Sequence, residues 1–377
     1  MYISLEVPGK LFDKVDILID RILYLSESVS GLTYDSDKKV IELHLDSEID
    51  GDRISSLRDS FQTLCIELEN VRSIKERVVK TNLPQSKDHS RKPNGNTVND
   101  STMHESGILL KEKLDQTFLK IAKKNGAQMR EYPSILTKDN MLKNQYHVHF
   151  PQNIFGVASV PHNIDAIKTF RLKAKEERYN DALEFKGEVL QPCICYHCYE
   201  ELQGQILTKE KALTGRGECY RHEVKWREDK FRKSQFTMRE IVFIGDEEHV
   251  INMRNDIMNV VWNLFESIGL KGRIATATDP FFFSQDLKTK GTYQMMSNAK
   301  YELIVTTSTG KEVSIASFNY CNDMLCSKYN IKDVNGQPLH SGCIAFGTDR
   351  WKEAIIDLYG YKTENWPDLN IEMELFL

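Results

Sequence analysis

Residues 82–106 divide this chain before any other feature does. The stretch NLPQSKDHSRKPNGNTVNDSTMHES holds almost no large apolar residue after Leu83 and is rich in Ser, Asn, Lys and Pro. Such a segment cannot bury enough surface to offset the entropy of ordering itself. A chain of 377 residues interrupted there must build two cores. The expected organisation is a small α+β accessory domain over 1–80, a flexible linker over 81–106 and a larger domain over 107–377.

Hydrophobic spacing fills in both halves. Residues 2–6 read as a strand. Leu11, Val15, Leu18, Ile22 and Leu25 recur at helical spacing, Ile41, Leu43 and Leu45 alternate as a half-buried strand does, and Ile54, Leu57, Phe61, Leu64 and Leu68 form a second helical stripe. The first 80 residues therefore predict a β-α-β-β-α unit. In the larger half, Leu110, Leu114, Phe118 and Ile121 predict a helix ending near Asn125-Gly126, and helical pattern returns around 246–268 and 351–359. Strand patterns dominate after about residue 185. The fold class expected is α+β, a largely antiparallel sheet flanked by helices.

Charge and composition exclude several functions. Fifty basic and 55 acidic residues give a net charge of −5, so no overall basic field exists to hold a nucleic acid. The longest apolar stretches fall far short of the roughly 18–20 residues of a membrane span. The start, MYISLEVPGKLFDK, has no apolar signal core. A cytoplasmic location is expected. Eight cysteines in such a chain point to metal or thiol chemistry rather than to a disulfide scaffold.

Five of these cysteines lie in three informative segments: Cys193, Cys195 and Cys198 in QPCICYHCYEEL, Cys219 in GRGECYRHE and Cys343 in HSGCIAFGTDRW. Cys195-x2-Cys198 with Cys219-x2-His222 has the paired spacing of a closed zinc ribbon. Against that reading, CYRHE alternates like a strand, which would send residues 219 and 222 to opposite faces. Cys65, Cys193, Cys321 and Cys326 read as small buried hydrophobes, and Cys198 admits the same reading. Whether Cys193, Cys198 and Cys219 touch a metal is left open by the sequence. On the same strand, Arg221 and Glu223 share a face with Cys219, and a guanidinium beside a carboxylate can grip a phosphate and an amine-bearing base. Arg350 follows Gly347 just before a helix. No GxxxxGK[ST] or GxGxxG motif is present, so neither common phosphate loop is available.

Together these segments resemble class II aminoacyl-tRNA synthetases. GRGECYRHE looks like motif 2, SGCIAFGTDRW like motif 3, and AQMREYPSIL, with Pro133 after a long helix, is compatible with motif 1. CYHCYEEL, FTMREIVFIG, ATDPFF, SFNY and SGCIAFG look like the amino acid:[carrier protein] ligases, relatives of the zinc-dependent seryl-tRNA synthetases. The resemblance covers roughly residues 108–377. It implies one Zn2+ per subunit held by Cys195, Glu240 and Cys343, with the substrate α-amino group in the open fourth position. It implies ATP as substrate: Arg221 on the α-phosphate and carboxylate, Glu223 on the adenine amino group, Phe236 stacked on adenine, and Arg350 covering the other face and reaching the γ-phosphate. Arg221 and Arg350 are the catalytic pair. Glu312 is a candidate Mg2+ ligand, and Asn319 and Asp279 are candidate substrate-pocket residues.

The implied reaction is activation of a small amino acid, glycine or alanine, as its adenylate. Transfer to the phosphopantetheine thiol of a carrier protein follows. The alternatives are a zinc-type seryl-tRNA synthetase, a non-catalytic synthetase paralogue, and a zinc-ribbon module fused to an unrelated domain. A tRNA partner is not expected, since residues 1–80 carry no basic stripe; they read as a reduced relic of a synthetase N-terminal domain or a carrier-docking module. The resemblance also implies a homodimer, with Leu110, Leu114 and Phe118 partly at its interface.

Overall fold

In the computed structural model of the chain, residues 1–46, 50–84, 105–281 and 283–369 are described. The described chain separates into two units. The first is the β-α-β-β-α arrangement that the spacing predicts: β1 (Tyr2–Glu6), α1 (Val15–Ile22), β2 (Val29–Asp35), β3 (Val40–Leu45) and α2 (Gly51–Glu69). Its antiparallel sheet has the order β1-β3-β2, with Leu43 opposite both Ile3 and Leu32. Helix α2 starts where the Asp50 carboxylate accepts the Arg53 N–H at 2.8 Å, a cap that satisfies one of the orphan amides. Its Leu57, Phe61 and Leu68 are buried with Leu18 and Ile22 of α1.

The boundaries differ from those expected. The small unit ends at Glu76, and residues 224–228 and 278–297 belong to it. Trp226 and Leu287 pack against its core, a long-range contact that no local pattern reveals. Residues 78–81, expected at the end of the small domain, instead form β4 (Val78–Thr81) of the large sheet. Most of the expected linker, residues 85–104, lies outside the described residues.

The second unit is built on β4, β5 (Gln128–Arg130), β9 (Lys211–Tyr220), β10 (Gln235–Gly245), β11 (Gly272–Thr276), β12 (Lys300–Thr306), β13 (Glu312–Tyr320) and β14 (His340–Gly347). They form one sheet in the order β4-β11-β12-β13-β14-β10-β9-β5, antiparallel except for the β5–β9 pair. A small second sheet, β6 (Ile135–Leu136), β8 (Glu184–Leu190) and β7 (Gly156–Ser159), stands apart from it.

One face of the large sheet is covered by α3 (Glu105–Lys124), α5 (Glu247–Ser267) and α6 (Thr348–Tyr359); between them in the chain comes the short α4 (Cys195–Glu201). Phe118 of α3 stacks on Phe346 at 4.2 Å between centroids and meets Trp351 of α6 edge-on at 5.4 Å. Leu110, Leu114 and Phe118 are wholly buried in this core. That corrects the expected placement of these residues at a subunit interface: their stripe packs on the chain's own sheet, and their neighbours Ile108 and Leu109, each 47 % exposed, turn outward. Along β10, Ile241 and Phe243 face the helices, while Phe236, Met238, Glu240 and Val242 take the opposite face. No described helix is long and apolar enough to cross a membrane.

Candidate active site

The face of the sheet away from these helices carries the chemistry. Antiparallel register sets Gly215 and Gly217 of β9 beside Glu240 and Met238 of β10, and Cys343 of β14 beside Val242. The two glycines matter because something lies directly on them. A Cβ at Gly215 would sit 3.0 Å from Ile194 Cγ2, and one at Gly217 3.0 Å from Gln191 Nε2. Removing both side chains lets residues 191–194 lie against the sheet. Gln191 Nε2 fixes the segment by donating to the Glu218 carbonyl at 2.7 Å.

This arrangement gathers acids in one buried spot. The Cys195 N–H donates to Glu240 Oε2 at 2.7 Å. Cys193 Sγ lies 3.4 Å from Cys195 Sγ, and the donor atoms of Cys193, Cys195 and Glu240 all lie within 4.8 Å of one another. The Cys343 thiol interacts with both Cys195 and Glu240. Burial, reinforced by Cys343, pushes the Glu240 carboxyl up to about 8. Hydrogen bonding to Cys193 and then Cys343 holds the Cys195 thiol well above its ordinary range. Protons or a metal can each balance such a cluster, and a set of soft thiols with one carboxylate fits zinc. Of the expected ligands, Cys195 and Glu240 lie in one cluster together with Cys193, and Cys343 adjoins Cys195 from outside that cluster. Cys193 is half-buried and packs against apolar neighbours, as the sequence suggested, and its sulfur also lies beside Glu240. The ribbon pairing is not formed: Cys198 is buried among Tyr199 and Leu202, and His222 is exposed beside Phe155.

A cationic cluster adjoins the acids. Arg221 donates through Nε and Nη2 to the Pro192 carbonyl at 3.3 and 3.2 Å, and its guanidinium lies 5.2 Å from the Phe236 ring centroid. Strand β9 stops at Tyr220, one residue short of Arg221, although the Arg221 N–H still bonds the Ser234 carbonyl. Glu223 is therefore past the strand, where it accepts from Arg232 Nη1 at 3.1 Å. Arg350 of α6 donates to the carbonyls of Phe231 at 2.8 Å and Ser314 at 2.9 Å. Burial, with the charges of Arg221 and Arg232 nearby, lowers the Arg350 guanidinium to about 10. Three guanidiniums gathered in one place, two of them lowering the third, favour an anion. Sequence reasoning missed Arg232, which lies in a charged run, EDKFRKS, with no pattern to single it out.

The remaining candidates have definite places. Asn319 Nδ2 on β13 lies 3.3 Å from Cys343 Sγ and donates to Ser317 Oγ at 3.1 Å. Lys300 and Glu302, a 3.1 Å ion pair on β12, register with Asn319 and Ser317 on the same face. Neither was singled out from the sequence, where they look like ordinary alternating strand polar residues. Glu312, at the opposite end of β13 from Asn319, makes a two-pronged ion pair with Arg273. Asp279 belongs to the other unit, where its carboxylate accepts from Gln294 Nε2 at 2.7 Å and its N–H donates to Gln294 Oε1 at 2.8 Å.

Comparison with known proteins bears on the fold that carries this site. Residues 183–359 match the tRNA synthetase class II core domain (G, H, P, S and T). The chain is 27 % identical over 251 residues to amino acid--[acyl-carrier-protein] ligase 1 of Bradyrhizobium diazoefficiens, covering 64 % of this chain and 74 % of that one. It is 22 % identical to the type-2 serine--tRNA ligase of Methanopyrus kandleri, covering 67 % of this chain and 52 % of that one. Among solved structures, M. kandleri SerRS in complex with A. aeolicus tRNASec superposes with a TM-score of 0.67 at 17 % identity, over 98 % of this chain and 76 % of that one. The fold is that of the class II synthetases.

Proposed function

We propose that this chain, a ligase on the class II synthetase core, joins a small amino acid to ATP and passes it to a carrier protein. One juxtaposition carries the reading. The segment Pro192–Cys195 touches Arg221 through the Pro192 carbonyl and Glu240 through the Cys195 amide. A carboxylate suited to an amine or a metal and a guanidinium suited to a carboxylate or phosphate are thus both tied to one short segment.

In the first step the substrate carboxylate, ionised at neutral pH, attacks the α-phosphorus of ATP. A carboxylate O–P bond forms, the bond to the β-phosphate oxygen breaks, and pyrophosphate leaves with the electron pair. No protein base is required. Catalysis is positioning and charge stabilisation. Arg221 binds the α-phosphate and substrate carboxylate, and Arg350 binds the γ-phosphate. Phe236 and Glu223 hold the adenine. Glu312 is the proposed Mg2+ ligand and must release Arg273 to serve, and Asn319 is the proposed lining of the amino-acid pocket. A zinc ion held by Cys195, Glu240 and Cys343 would supply a Lewis-acid seat for the α-amine.

In the second step a phosphopantetheine thiolate attacks the activated carbonyl and AMP leaves, giving an aminoacyl thioester. Glycine and alanine are the proposed substrates. A homodimer in the cytoplasm completes the reading, its interface excluding the buried Leu110, Leu114 and Phe118. A second reading, ligation of serine to tRNA, draws support from a fold likeness that extends over 98 % of this chain.

The acceptor decides between them. Incubation with ATP, glycine or alanine and a phosphopantetheinylated carrier protein should raise the carrier's intact mass by one aminoacyl residue, reversibly with hydroxylamine, and leave the unmodified carrier unchanged. Charging of tRNA with serine, and no carrier adduct, would select the second reading.

A further inference from the structure

We infer that Cys193 is a fourth ligand of the metal site, closing it at rest and giving way to the substrate amine. The inference rests on the metal seat of the proposed function and adds a residue to it. Cys193 lies just ahead of helix α4, which Cys195 opens. Their sulfurs are 3.4 Å apart. Two thiolates on one tetrahedral zinc, each at about 2.3 Å, lie about 3.8 Å apart, so a shift of less than half an ångström satisfies both. Cys193 also lies within 4.8 Å of the Glu240 carboxylate oxygen, as Cys195 does. Cys343 contacts Cys195 from β14. Two sulfurs and one carboxylate oxygen therefore lie within reach of one ion, and the Cys343 sulfur beside Cys195 would bring the set to the four donors of a closed tetrahedral site.

Other roles for Cys193 fit less well. A bond between Cys193 and Cys195 would close a ring across a single intervening residue, where the Cβ separation and dihedral of a relaxed disulfide are hard to reach. A purely apolar role does not suit a half-buried thiol within reach of the Glu240 carboxylate. The neighbouring Arg221, fixed by the Pro192 carbonyl, gives the released sulfur a place beside a positive charge.

The exchange balances. The amino acid arrives as an ammonium and must lose one proton to bind a metal as an amine. The departing Cys193 thiolate takes up one proton and leaves as a thiol. Charge at the metal falls by one negative unit as a neutral amine replaces a thiolate. Occupation of the seat is thereby coupled to release of a thiol at the edge of the anion site.

X-ray absorption at the zinc edge of the full-length, zinc-loaded protein tests this directly. Measurements would compare wild type and Cys193→Ser, each with and without a non-reactive glycyl-sulfamoyl adenosine. Three sulfur neighbours are expected in resting wild type, two after the analogue is added, and two in Cys193→Ser under both conditions. In parallel, iodoacetamide should label the Cys193 peptide of wild type in the presence of the analogue and not at rest. Two sulfurs in resting wild type would overturn the inference alone, provided amino-acid-dependent ATP–pyrophosphate exchange persists. Failure of wild type to retain zinc would overturn both this inference and the proposed amine seat.

Discussion

Arg239 and Glu240 are adjacent on β10, nearly equally buried, and on opposite faces of the sheet, yet their charges are handled in opposite ways. Arg239 is satisfied from within the chain. It donates to both carboxylate oxygens of Asp115 on α3, at 2.6 and 2.8 Å, and approaches Thr214 Oγ1 at 3.3 Å. The pair is extended by Arg216, which reaches Asp115 at 3.5 Å and Glu112 at 2.6 Å. Glu240 meets backbone amides and other acids, and burial pushes it up to about 8. A buried charge that the fold neutralises holds elements together. A buried acid beside other acids is arranged for something brought from outside.

The largest expected effect lies on the structural face. Asp115→Ala strands Arg239 and should destabilise the protein by about 3–5 kcal/mol in urea unfolding. A loss below about 1 kcal/mol would mean that water reaches Arg239 and that the two faces are less different than their burial indicates.

On the other face, Arg221→Ala should leave stability nearly unchanged and lower ATP–pyrophosphate exchange by roughly a hundredfold or more, the scale of removing a preorganised donor to developing phosphate charge. Equal losses of stability and activity would place Arg221 among the structural charges instead. Glu240→Gln keeps the shape of the neutral carboxyl. It should cost less than about 1 kcal/mol in metal-free protein, while zinc affinity, read by competition with a chelator, falls at least about tenfold. Destabilisation matching Asp115→Ala would erase the contrast between the faces.

The smallest expected effect sharpens a single assignment. The Arg273–Glu312 pair is partly exposed and contributes at most about 1 kcal/mol. Glu312→Gln should therefore barely change unfolding, yet raise the Mg2+ concentration needed for half-maximal exchange several-fold. An unchanged Mg2+ requirement would leave Glu312 as a surface ion pair.

Much of this was legible because local patterns report burial. The stripe at 246–268 became α5 over Glu247–Ser267, capped by Asp246, and the alternation of FTMREIVFIG became β10. Cys195 reaches Glu240 because the glycines of β9 admit the segment above them, and antiparallel register sets Cys343 of β14 alongside β10. What the patterns could not report was which surface buries a stripe. Leu110, Leu114 and Phe118 alternate identically whether they meet a partner subunit or the chain's own Phe346 and Trp351. Residues 278–297 join a core more than two hundred residues earlier, which no local signal encodes. Cys193 looked apolar because Glu240, 47 positions away in sequence, is brought close to it only by the fold.

Amino-acid-dependent ATP–pyrophosphate exchange, run across all the standard amino acids with zinc-loaded protein, tests adenylate formation most directly. Exchange with glycine, alanine or another small amino acid, abolished in Arg221→Ala, is the expected result. Folded, zinc-containing protein that supports no exchange with any amino acid would contradict it and leave a synthetase fold that has given up its chemistry.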